Sequence, residues 1–142
     1  MKTYRVLWLA SFALTIAALL SCSKDNEPKP EPPTIEWHEV GSGNSKTGYP
    51  GDDLHLDAEI IAPGGIARIT LEIHSEAPGG WSFEQVYTGD YVGKKNAEFH
   101  RHIDIPSDAP LGDYHLHLSV TDQAGQTVEA EAELQLVEAP AN

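Results

Sequence analysis

The chain has 142 residues, a formal net charge of −13, 40% hydrophobic residues and a single cysteine. This length and composition fit one ordinary soluble domain with an attached segment. The excess of carboxylates argues against binding nucleic acid or anionic lipid head groups through charge. The single cysteine means that the chain cannot form a disulfide within itself.

Residues 1–21 have the layout of a secretory signal peptide, with Lys2 and Arg5 before an apolar run from Val6 to Leu20. A transmembrane helix is the alternative, but about 15 apolar residues are fewer than the roughly 20 that a membrane span needs. Removal of residues 1–21 leaves seven Lys and Arg against 22 Asp and Glu, a net charge of −15. The mature protein is therefore predicted to be strongly acidic.

The end of the apolar run, Leu-Ser-Cys, resembles the lipobox of bacterial lipoproteins. This resemblance implies that Cys22 is lipid-modified and becomes the first mature residue, whereas the competing interpretation is an unpaired structural cysteine. Residues 23–27 are similar to the short acidic tags that send some Bacteroidetes-type lipoproteins to the cell surface. These resemblances imply an outer-membrane lipoprotein of the cell envelope, exposed at the surface and attached to the membrane through Cys22. An envelope or surface protein is a candidate partner.

Residues 22–33 are predicted to form a tether, because four prolines alternate with charged residues and no large apolar side chain is present. The folded domain is expected over residues 34–138, with a short tail at 139–142. Within it, apolar and polar residues alternate in segments separated by Gly and Pro turns. The predicted strands are 35–40, 53–61, 67–74, 81–88, 97–105, 114–121 and 127–137.

About seven short strands without a credible helix predict an all-β domain, an antiparallel β-sandwich with no disulfide. A small barrel is the alternative. The alternation assigns to the core Leu56, Ile60, Ile69, Leu71, Ile73, Phe99, Ile103, Leu116, Leu118, Val120 and Leu134.

Three stretches carry a resemblance to a known class of protein: residues 51–60, the Glu-Ile-His ending at His74, and residues 99–125. They resemble an uncharacterised class of Bacteroidetes-type surface lipoproteins that bear one immunoglobulin-like domain with paired His-x-His strands. The resemblance spans residues 34–137 and implies an immunoglobulin-like sandwich. It implies no activity, because that class has none established.

Two His-x-His pairs are the main functional signal in the sequence. Side chains two residues apart on a strand point to the same face, so His100 and His102 project together, as do His115 and His117. In the immunoglobulin strand order, strand 53–61 pairs with 97–105 and strand 67–74 pairs with 114–121. This pairing brings His55 to the first pair and His74 to the second, with both trios towards one end of the sandwich.

The alternation places each trio on an outer face, where cross-strand Cβ atoms lie about 5 Å apart. Three imidazoles with an open position suit Zn²⁺ or Cu²⁺, and a carboxylate such as Asp57, Glu72 or Asp104 could complete either shell. The trio of His74, His115 and His117 is preferred slightly, because its strands are expected to be central in their sheet. His38 is expected on the rim or a sheet face.

The sequence thus predicts a lipoprotein that binds a transition metal for capture or delivery. One alternative is that the histidines are ordinary solvated strand residues. Another is a metal-independent adhesion module that binds a glycan or protein through Trp37, Trp81, Tyr49, Tyr87 and Tyr91. Both tryptophans are expected to fill the core instead. No nucleophile motif or phosphate-binding loop is present, so the protein is not predicted to be an enzyme.

Overall fold

A computed structural model describes residues 28–141 of the chain. The predicted signal peptide, Cys22 and residues 23–27 of the predicted tether lie outside this range. Within it, no helix is long and apolar enough to cross a membrane.

Eight strands make up the fold, and seven of them match the predicted strands to within two residues at each end. They are β1 (Thr34–Val40), β2 (Thr47–Gly48), β3 (Asp53–Ile61), β4 (Ile66–Ser75), β5 (Ser82–Tyr87), β6 (Asn96–Asp104), β7 (Gly112–Asp122) and β8 (Thr127–Leu136). One sheet has the order β1-β3-β6 and the other the order β2-β8-β7-β4-β5. The domain is an open, immunoglobulin-like β-sandwich, which confirms the predicted fold class.

The predicted strand pairings are also confirmed. Strand β3 pairs antiparallel with β6, and β4 pairs antiparallel with β7. Inward-facing side chains from both sheets fill the core, and all eleven residues that the alternation assigned to it are buried. Because inward and outward positions alternate, burying these side chains turns every histidine of the two trios outward.

A tyrosine at the start of β7 fixes the preceding corner of the chain. The Tyr114 hydroxyl donates to the carbonyl oxygen of Pro110 at 2.8 Å, and the Tyr114 ring is buried. This arrangement matches the tyrosine corner found in immunoglobulin-like domains, where it ties the connection between the two sheets to the following strand.

A β-bulge in β1 changes which of its side chains face the core. Trp37 is opposite Ala58 and Glu39 is opposite Asp57, so His38 is the extra residue between them. After the bulge, Val40 points into the core and Glu39 stays on the outer side. Gly41 then turns the chain with φ +71°, where a Cβ atom would lie 2.5 Å from the Thr47 carbonyl oxygen.

The two ends of the sandwich carry different features. β3 and β7 begin at one end, which residues 41–52 and 105–111 close. We call this end the histidine pole. The turns 62–65 and 123–126 close the opposite end. There Pro33 is buried, and the Pro30 carbonyl oxygen accepts a hydrogen bond from Gln126 Nε2 at 3.0 Å. The last residues of the predicted tether therefore contact the domain at the end opposite the histidine pole.

Candidate metal centre

The outer face of the three-stranded sheet brings His55, His100 and His102 together as the sequence predicted. His55 is the cross-strand partner of His102, and His100 lies opposite Asp57. The ring centroids are 4.7 Å apart for His55 and His100, 5.0 Å for His55 and His102, and 5.3 Å for His100 and His102. One ring nitrogen from each residue lies within 4.8 Å of the others. We call these three residues the β3–β6 trio.

Each ring of the β3–β6 trio contacts a different carboxylate through Nδ1. His55 Nδ1 lies 3.1 Å from Glu39 Oε1, and His100 Nδ1 lies 3.3 Å from Asp57 Oδ2. His102 Nδ1 contacts Asp53 Oδ2. Since an ionised carboxylate can only accept, the hydrogen-bonded Nδ1 of a neutral ring must carry the proton. Nε2 is then the nitrogen with a free lone pair on each ring.

The β1 bulge and the strand register position these carboxylates. Glu39 reaches His55 because the bulge keeps it on the outer side of β1. Asp57 lies between two rings, with Oδ2 towards His100 and Oδ1 3.2 Å from Nδ1 of His38. The Asp57 side chain is only 15% exposed, whereas those of His38 and His100 are about half exposed. His38 thus lies on the sheet face, in agreement with its predicted position.

Hydrogen bonds lower the pKa of two of these carboxyl groups. The backbone N–H of Gly43 and the imidazole of His55 lower the pKa of Glu39, and the bond from His102 lowers that of Asp53. A pKa that is lower in the folded state means that the ionised group stabilises the fold above its ordinary pKa. That contribution is lost as the pH falls through the lowered value. Both carboxylates are therefore ionised at neutral pH and available to accept from Nδ1.

The outer face of the five-stranded sheet carries the second trio, His74, His115 and His117. His74 lies opposite His115 in the register, and His74 Nε2 is 3.1 Å from His117 Nε2. His115 is further away, with its ring centroid 5.7 Å from His74 and 6.4 Å from His117. We call these residues the β4–β7 trio. It consists of one close pair and a third ring at its side.

Carboxylates also contact the β4–β7 trio. His117 Nδ1 lies 3.0 Å from Glu129 Oε1, and His115 Nε2 lies 2.7 Å from Glu76 Oε1. Hydrogen bonds from Ser119 and from His117 lower the pKa of Glu129. The Glu76 contact occupies Nε2 of His115, so this ring would have to leave Glu76 before that nitrogen could bind a metal. The geometry therefore favours the β3–β6 trio as the three-ligand site, whereas the sequence favoured the other.

The carboxylate partners were the part of the site that sequence reasoning largely missed. Of the three suggested, Asp57 contacts His100, whereas the ion pairs of the described histidines involve neither Glu72 nor Asp104. Asp53 could have been found, because it lies two residues before His55 and shares its face. Glu39 could not, because only the bulge keeps it on that face.

The aromatic residues suggested for a glycan or protein platform are all at least partly buried. Trp37 and Trp81, which were expected to fill the core, are only partly buried and pack against it, whereas Tyr91 belongs to the core itself. Arg101 lies over the rings of Tyr87 and Tyr91 at 4.9 and 5.2 Å from their centroids. None of these five side chains is fully exposed.

Several solved structures share the fold. OgpA from Akkermansia muciniphila matches with a TM-score of 0.52 and 16% identity, over 77% of this chain and 28% of that one. A DUF4466 family protein from Parabacteroides merdae matches with a TM-score of 0.53 and 13% identity, over 75% of this chain and 46% of that one. The GspB Siglec domain matches with a TM-score of 0.51 and 13% identity, over 80% of this chain and 61% of that one.

These identities support a shared sandwich fold and nothing about activity. The chain spans less than two thirds of each of these three structures. No curated protein sequence matches it significantly. A family model described as a domain of unknown function, DUF4625, matches residues 20–137. Since this match covers most of the sequence, the chain belongs to the DUF4625 family.

Proposed function

We propose that this protein is a lipid-anchored envelope protein that binds a divalent transition metal, Zn²⁺ or Cu²⁺, on the outer face of its three-stranded sheet. His55, His100 and His102 are the ligands. The observation that carries the proposal is the convergence of three imidazoles from two strands. The Nδ1 atom of each imidazole contacts a different carboxylate. Metal-bound histidines in proteins commonly donate their other ring N–H to a carboxylate in this way.

The distances are compatible with metal binding after a small movement of side chains. Zn–N bonds of 2.0–2.1 Å at tetrahedral angles place the ligand nitrogens about 3.3 Å apart. The three nitrogens of the β3–β6 trio are up to 4.8 Å apart, so the rings must close towards the ion. The side chains of His100 and His102 are 51% and 57% exposed, which leaves them room to rotate.

The exposed position of the trio supports capture and release more than catalysis. Three protein ligands leave a fourth position of a tetrahedral ion facing solvent. The trio lies on an exposed sheet face and not in an enclosed cavity that could hold a substrate. The β4–β7 trio, with His74 and His117 already close, is proposed as a second and weaker site.

The ends of the sandwich suit a protein that is anchored through its N-terminus. The chain enters the domain at the end opposite the histidine pole, where Pro30 is hydrogen-bonded to Gln126. Lipid on Cys22 would therefore hold the end opposite the histidine pole near the membrane, and the histidine pole would point away from the membrane. This orientation would suit metal capture outside the membrane, or delivery to an envelope or surface protein.

The anchor predicts a clear result for Cys22→Ala. Without the thiol that accepts the lipid, the variant is expected either to remain uncleaved or to be released from the membrane fraction. Fractionation followed by intact-mass measurement checks this. Recovery of the variant in the same fraction with the same lipid-dependent mass shift would contradict the anchor at Cys22. Cell-surface protease accessibility of the wild type then tests surface exposure.

The proposed metal site predicts strong pH dependence. Imidazole ligates a metal only when it is neutral, so protonation competes with the metal. The groups facing the three rings are Glu39 on β1, Asp53 and Asp57 on β3, Glu98 on β6, and the trio's own imidazoles. Calorimetric titration with Zn²⁺ should show micromolar or tighter binding near pH 7.5, and much weaker binding near pH 5.5. Affinity that is equal at both values would contradict imidazole ligation.

A further inference from the structure

Three carboxylates contact the histidines of the β3–β6 trio, in addition to the cross-strand contacts among the rings themselves. Two strands supply them: β1 supplies Glu39 after its bulge, and β3 supplies Asp53 and Asp57 from either side of His55. All three contact Nδ1 and none contacts Nε2.

We propose that Glu39, Asp53 and Asp57 are positioning residues that hold the three histidines as Nδ1–H tautomers and so present Nε2 to the metal. This inference rests on the proposed function, which it deepens. The physical reason is that a carboxylate has no proton to donate, so its hydrogen bond with a neutral ring selects the tautomer with the proton on Nδ1. The bond also restricts rotation of the ring, which lowers the entropy lost when the metal binds.

Asp57 is the most informative of the three carboxylates for testing this role. Its two oxygens contact two rings, Oδ2 that of His100 and Oδ1 that of His38. Among the carboxylates that contact the trio, its side chain is the least exposed, at 15% against 28% for Glu39 and 55% for Asp53. Burial of this degree shields its hydrogen bonds from competing water. We therefore expect Asp57 to influence its ring more than the other two do.

The experiment compares Asp57→Ala with Asp104→Ala, a matched control. Asp104 lies on β6 of the same sheet, on the same outer face, and makes no ion pair with a described histidine. Long-range ¹H–¹⁵N correlation NMR of the metal-free protein reports the tautomer of each ring, whether or not a metal binds. Zn²⁺ titration of the same samples reports affinity, and thermal unfolding confirms that both variants are folded.

In the wild type, His55, His100 and His102 should all be Nδ1–H tautomers. In Asp57→Ala, His100 should shift towards the Nε2–H tautomer, and Zn²⁺ affinity should fall about 10–100-fold. Asp57→Asn should restore part of both properties, because its amide oxygen can still accept from one Nδ1–H. Asp104→Ala should change neither property.

Two contrary results separate the inference from the proposed function. If Asp57→Ala leaves the His100 tautomer and the Zn²⁺ affinity unchanged, the positioning role is wrong while metal binding stands. If the wild type shows the three Nδ1–H tautomers but does not bind Zn²⁺ or Cu²⁺, the tautomer assignment stands and the metal site is wrong. Rings that are mainly Nε2–H in the wild type would overturn the inference directly.

Discussion

Replacing Leu118 with alanine is expected to lower the free energy of unfolding by about 2–5 kcal/mol. Leu118 is fully buried at the centre of β7, between Leu71 on β4 and Ala130 on β8. Truncation removes apolar contact area and leaves a cavity that a sandwich core with strands on both sides can fill only in part. Chemical denaturation measures the change. Leu71→Ala should have an effect of similar size, because Leu71 is equally buried.

The control for this prediction is Glu131→Ala on the neighbouring strand β8. The Glu131 side chain is 69% exposed and projects from the outer face, so the change should stay within about 0.5 kcal/mol. If the two leucine variants unfold at the same denaturant concentration as the wild type, the inward and outward faces of β4 and β7 have been exchanged. The histidines of those strands would then not be on the outer face.

Strand alternation was sufficient to predict the faces of the sandwich. In β3, β4, β6 and β7 most inward-facing positions hold large apolar side chains, with exceptions such as Ala58 and Arg101, and a shift of one residue would expose these side chains. The immunoglobulin strand order then supplied the pairings, and the pairings brought the histidines into two trios. These steps depend on long segments with a strong period of two, which is why they could be taken from the sequence.

The finer geometry of the site depends on features that have no such period. The bulge at His38 inserts one residue into β1, so Glu39 and Val40 exchange the sides that plain alternation would give them. The short strand β2 was also missed, because its two residues, Thr47 and Gly48, pair with β8 only after the loop at Gly41 folds back. Side-chain contacts such as those of Glu39 and Glu76 follow from this local geometry.

The relative strength of the two trios likewise required the structure. Sequence reasoning preferred the β4–β7 trio because its strands are central, and they are indeed flanked on both sides. Central position does not determine ring separation, however. His115 Nε2 contacts Glu76, whereas one ring nitrogen from each residue of the β3–β6 trio lies within 4.8 Å of the others. The preferred site therefore depends on side-chain direction, which the pattern of residues does not specify.

Calorimetric titration of Zn²⁺ into the wild type and two paired double variants tests the central claim most directly. His100→Ala/His102→Ala removes two of the three ligands of the β3–β6 trio. We call the β3–β6 trio the tight site. Its Zn²⁺ affinity should therefore fall by more than the decrease of about 10–100-fold that follows the loss of a carboxylate partner. His115→Ala/His117→Ala changes the other face and is the matched control, expected to keep the tight site and lose only weaker binding.

The wild type is expected to bind Zn²⁺ with micromolar or tighter affinity, and Cu²⁺ at least as tightly, in line with the general order of metal affinities. The His100→Ala/His102→Ala variant should lose this binding while its unfolding transition remains cooperative. No binding in the wild type, or binding that persists unchanged in both double variants, would contradict the account. The histidines would then be ordinary solvated residues of the two sheet faces.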